Sequence, residues 1–144
     1  MSKAIIETQS IGKIISTIHR KIYARLTNRL IDYEINTGQI HFLFTLFRNP
    51  GICQHDIAQA VNVDKATATK MLSGLEKTGY VKRLKKESDQ RFRYLYLTKK
   101  GEDVLPKLKL VLEKHNLEIM KDFNKLEKNE LHCLLEKLLK TIEG

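Results

Sequence analysis

The sequence predicts a mainly α-helical chain with one small β-hairpin, an α+β arrangement of the winged helix-turn-helix type flanked by long helices. Three observations carry this. Apolar residues recur at three- and four-residue steps toward both ends of the chain; the period shortens near Val81; and positive charge gathers between the helical ends. With 144 residues the chain suits one domain. Within 1–144, residues 38–98 form the expected winged module, and 1–37 and 99–144 the flanking helices.

Ile11, Ile14, Ile15, Ile18, Ile22, Leu26 and Leu30 mark a long amphipathic helix over about 6–36. Asn36-Thr37-Gly38 reads as its stop, with Gly38 as the left-handed cap. A second helix carries Ile40, Leu43, Phe44 and Phe47, and Asn49-Pro50-Gly51 ends it by turn chemistry. Two short helices follow, over 54–60 and 65–78, joined by 61–64. Asp64 suits the N-cap of the second, and Gly79 closes it. Val81, Leu84, Tyr94 and Tyr96 read as two strands around a polar loop at 85–91, hence a hairpin. Thr98 caps a further helix bearing Val104, Leu105, Leu108, Val111, Leu112 and Ile119. Leu131, Leu134, Leu135, Leu138, Leu139 and Ile142 define the last one. One wing-sized module cannot bury three such stripes, so the flanking helices are expected to pair with those of a second copy.

The charge distribution points to a partner. Residues 65–100 hold eleven Lys or Arg against Glu76, Glu87 and Asp89, a net of +8 out of +9 for the whole chain. Such segregation fits a polyanion, here double-stranded DNA. On a helical wheel of 65–78, Ala68, Met71, Leu72 and Leu75 share one side. Ala66, Thr69, Lys70, Ser73 and Lys77 share the other, a small, hydroxylated and cationic face able to approach a groove. Arg91, at the hairpin tip beside Asp89 and near Arg93, Lys85 and Lys86, suits insertion into a minor groove.

Other classes fare poorly. There is no Gly-x-Gly-x-x-Gly or Walker loop and no Ser or Cys with a base nearby in sequence, so no enzyme is expected. Neither the two cysteines nor the five scattered histidines offer metal spacing, and no cofactor is expected. The chain lacks a run of about 18–20 apolar residues and a secretion signal, so a cytoplasmic location without membrane partners is expected. Cys53 reads as a packed thiol, with a sensing thiolate at a helix N-terminus as the alternative. Cys133 reads as core or interface.

Several runs resemble the MarR family, the multiple-antibiotic-resistance regulators. Residues 63–70 (VDKATATK) and 75–81 (LEKTGYV) look like that family's recognition helix, and 54–58 (QHDIA) like the helix before it. The Asp89-Gln90-Arg91 run followed by 95–101 (LYLTKKG) is similar to its wing and to the Leu-Thr-x-x-Gly start of its next helix. The resemblance implies a homodimeric transcription factor on a pseudo-palindromic operator, often a repressor released by a small aromatic or phenolic ligand. It implies Lys65, Thr67, Thr69 and Lys70 as the main recognition-helix contacts, Arg91 as the minor-groove residue and Asp89 as its support. The family's ligand pocket follows no transferable motif. An architectural protein that coats DNA with little base readout is the alternative, and a helical adaptor for protein a third reading. The small, hydroxyl-rich face favours specific readout over both.

Overall fold

The structure, a computed structural model, describes residues 10–86 and 88–144; the side chains of Lys86, Asp89 and Gln90 lie outside that description. The chain forms two compact units, Met1–Val111 and Leu112–Gly144. Among the described residues no helix is long and apolar enough to cross a membrane.

In the first unit, α1 spans Ile11–Leu30 and starts where the Ser10 hydroxyl accepts the Lys13 N–H at 3.2 Å. It buries Leu26 and Leu30, while Ile11, Ile14, Ile15 and Ile18 stay exposed. Residues 6–9 of the expected helix lie outside the described residues.

The expected stop at 36–38 is corrected. A 3-10 turn, Ile31–Tyr33, follows α1, and the left-handed residue is Glu34, at φ 55. Asn36 instead begins α2 (Thr37–Arg48). Its side chain accepts the Gln39 N–H at 3.0 Å, and the Gln39 side chain accepts the Asn36 N–H at 2.9 Å. This reciprocal box satisfies two otherwise orphaned donors at once, so these residues open a helix rather than close one. The buried phase of α2 also differs from expectation. Phe42, Leu43 and Leu46 join Ile40 in the core, whereas Phe47 is 62% exposed. Gln39 fixes that rotation by donating to the Met71 carbonyl at 3.2 Å.

The remaining elements of this unit are β1 (Ile52–Cys53), α3 (Gln54–Val61), α4 (Lys65–Lys77), β2 (Val81–Lys86), β3 (Asp89–Leu97) and the start of α5 (Lys99–Ile119). The sheet is antiparallel in the order β1-β3-β2, and both hairpin strands extend into the expected 85–91 loop. The β1 strand, only two residues long, is absent from the sequence expectation because two residues show no period. Ile57, Leu72, Leu75, Leu95 and Leu108 are fully buried, each contributing on the order of 1.5–3 kcal/mol by burial.

In the second unit α6 spans Lys125–Glu143, opened by a capping box between Asn124 and Glu127 at 2.9 and 3.0 Å. None of its residues is buried. Leu134, Leu135, Leu139 and Ile142 form an exposed apolar stripe, and Leu126 and Cys133 are exposed as well.

Candidate nucleic-acid interface

The pair α3 and α4 is held at a tight angle by backbone chemistry that its sequence supplies. Asn62 takes the left-handed conformation at φ 60; its N–H donates to the Gln59 carbonyl, and Val63 N–H to that of Ala58. Asn tolerates that conformation better than most residues. Asp64 then caps α4 by accepting the Thr67 N–H at 2.6 Å. That bond, with Thr67's side chain second, holds the Asp64 carboxyl below its ordinary 3.8. At the other end Gly79 N–H donates to Glu76 and Tyr80 N–H to Leu75, with Gly79 at φ 84. This pair of bonds is the Schellman closure for which glycine is suited.

Between these caps α4 buries Ala68, Leu72 and Leu75 completely. Lys65, Ala66, Thr69, Lys70, Ser73 and Lys77 are exposed, and Thr67 is half-buried. The anchored side therefore aims the opposite side outward, as the helical wheel predicts.

The wing is two-faced. Pairing of Arg83 with Leu95 and of Lys85 with Arg93 sets those four residues on one face, and alternation adds Arg91. Leu95 is buried on this face, and Arg83 reaches Glu76 of α4 in an ion pair. The cationic face of the wing is thus the face turned toward the recognition helix. Leu84, Phe92, Tyr94 and Tyr96 occupy the other. Arg91 and Arg93 are exposed. The expected support from Asp89 rests on a side chain outside the described residues, and Glu87 lies outside them entirely.

Not every cation in the +8 segment faces outward. The Arg83 guanidinium, besides binding Glu76, donates to the Gln54 carbonyl oxygen at 2.7 Å. The Gln54 amide in turn donates to the Thr69 hydroxyl at 2.7 Å. Wing, α3 and α4 are joined by this chain of polar contacts. Sequence reasoning counted Arg83 only as charge, because partners seven and 29 positions away leave no periodic signal. Lys100 is also engaged: it donates to the Thr78 carbonyl at 2.6 Å, where a cation meets the negative end of α4. Its ammonium lies 4.4 Å from the Tyr80 ring centre.

The Leu-Thr-x-x-Gly exit has a geometric reason. The Thr98 hydroxyl donates to the Gly79 carbonyl at 2.5 Å and accepts the Gly101 N–H at 3.1 Å. A Cβ on Gly101 would sit 2.2 Å from the Tyr80 carbonyl oxygen. Threonine caps α5 while glycine lets that helix press against the end of α4. Cys53 immediately precedes α3, is half-buried, pairs with Tyr94 across the sheet and makes no side-chain cap. A cleft of about 410 Å³ is lined by Tyr33, Tyr80, Lys100, Asp103, Val104 and Lys107. Within it the Tyr80 hydroxyl donates to the Tyr33 carbonyl at 2.6 Å, and burial, with Glu34 second, pushes the Tyr80 phenol above 10.0.

Comparison with known proteins agrees with this architecture. The MarR family model matches residues 35–92. An uncharacterized HTH-type transcriptional regulator, YybA of Bacillus subtilis (strain 168), is 33% identical over 113 residues, covering 78% of this chain and 75% of the relative. A MarR transcriptional regulator from Methanosarcina mazei Go1 has a solved structure 29% identical to this chain, with a TM-score of 0.80 over 91% of this chain and 94% of that one. The solved S. aureus MepR–DNA complex shares the fold, with a TM-score of 0.83 over 92% of this chain and 98% of that one at 20% identity. With a capped recognition helix, a basic wing and these relatives, the chain belongs to the MarR family of DNA-binding transcription regulators and is not an enzyme.

Proposed function

We propose that this protein is a homodimeric cytoplasmic repressor that reads a pseudo-palindromic operator and is released by a small aromatic or phenolic ligand. One observation carries the reading: the exposed side of α4 continues onto a wing face of the same charge. In this reading Lys65 and Lys70 neutralise phosphates, while Ala66, Thr67, Thr69 and Ser73 meet the floor of the major groove. Arg91 enters the flanking minor groove, Asp89 steadies it, and Arg93 binds the backbone beside it. The S. aureus MepR fold, solved with DNA, supports the use of this architecture on a duplex.

The exposed stripes on α1 and α6 support the second copy. A 19-residue amphipathic helix with nothing buried lacks the packing that normally stabilises a helix in water. The cleft lined by Tyr33, Tyr80, Lys100, Asp103, Val104 and Lys107 supports a small aromatic or phenolic effector.

In-vitro selection from a random duplex pool, at near-physiological salt, tests the reading. An inverted repeat with half-sites about one helical turn apart is the expected product. A pool that stays random despite steeply salt-dependent binding would overturn it in favour of sequence-tolerant coating.

A further inference from the structure

We propose that Thr69 reads a thymine through its methyl group, because the chain Glu76–Arg83–Gln54 holds its hydroxyl inward. The inference rests on the reading of α4 as the base-contacting helix and names what one of its residues recognises.

The argument follows donors and acceptors. A guanidinium has only donors, so Arg83, bound to Glu76, must meet Gln54 at its carbonyl oxygen. That orientation turns the Gln54 NH₂ toward Thr69, 2.7 Å from its hydroxyl oxygen. The hydroxyl therefore accepts from Gln54, and its own proton goes to the Lys65 carbonyl at 2.8 Å. With the proton committed, Thr69 has no donor left for a base edge or a phosphate.

The residue is nonetheless exposed, on the outward side of α4. Its second branch is a methyl group, and Ala66, also exposed, contributes another one turn earlier. Two methyl groups flanked by Lys65 and Lys70 make a small apolar spot within a cationic face. In the major groove only thymine offers an apolar partner, its C5-methyl. Gln54 and Arg83 are positioning residues in this scheme, not DNA contacts.

The test uses the duplex enriched by the wild-type protein, with each symmetric pair of thymines replaced in turn by deoxyuridine, which lacks only the methyl. For the wild type, one pair is expected to weaken binding about ten- to twentyfold, the scale of two buried methyl contacts. Thr69→Ser keeps the hydroxyl and is expected to lose this discrimination. Thr69→Val keeps the methyl and is expected to retain it, at lower overall affinity because Gln54 loses its acceptor. Retention in Thr69→Ser, loss in Thr69→Val, or the absence of any sensitive thymine overturns the inference while leaving α4 as the reading helix. Failure of the wild type to enrich any sequence overturns both.

Discussion

Helices α4 and α6 are both amphipathic and both capped at their N-termini by a polar side chain, yet they end in opposite situations. In α4 the apolar side is completed within the chain: Ala68, Leu72 and Leu75 are wholly buried, and a polar tie to Arg83 and Gln54 fixes its rotation. In α6 the apolar side has no buried residue. The difference separates a helix whose apolar side is covered within the chain from one whose apolar side stays exposed. Amphipathicity alone does not distinguish them; burial does.

The largest expected effect contrasts a completed site with an uncompleted one. Phe42→Ala, in the core beneath the reading module, is expected to cost about 3–5 kcal/mol in urea unfolding, independent of protein concentration. Leu139→Ala on α6 would cost under about 0.5 kcal/mol in a lone chain, since the residue is 55% exposed. With a second copy packed on it, the loss is instead that of a core leucine where the pair forms, and it shrinks toward the lone-chain value as the protein is diluted. Next in size, the combined change Leu134→Lys with Leu139→Lys is expected to yield a folded monomer that binds the selected operator about 100-fold more weakly, because two reading heads no longer act together. Circular dichroism with a binding titration checks both halves of that statement.

Two smaller effects probe the module itself. Arg91→Ala is expected to weaken operator binding and reduce the log–log salt slope by about one. A titration at several salt concentrations measures it. Asp64 supplies a pH test. Its folded carboxyl titrates below 3.8, so its stabilisation is complete above that value and fades as pH falls through the lower, folded one. Wild-type stability is therefore expected to weaken below about pH 4, with a flatter acid limb for Asp64→Asn, which still caps but does not titrate.

The reading module was largely legible in the sequence because its signals are local. Asp64, Gly79 and Thr98 each act within a few residues, and all three do what their chemistry implies. What stayed hidden depends on distant partners. Asn36 begins a helix rather than ending one because Gln39 completes its box and then anchors on Met71. The same anchor selects Phe42 over Phe47 for the core, although both phases satisfy helical spacing. Arg83 counts as one more cation in the sequence and becomes a strut only when the wing folds back on α4. The hydroxyl-rich face was visible as well, but not that the Thr69 proton is already engaged.

In the proposed dimer a second copy covers the exposed side of α6, and the mass of the purified protein in solution tests it most directly. Sedimentation equilibrium is expected to return twice the 16.7 kDa chain mass at micromolar concentration, with Leu134→Lys, Leu139→Lys falling to the single-chain value. A wild-type mass of 16.7 kDa across that range, with α6 still helical, would contradict the account.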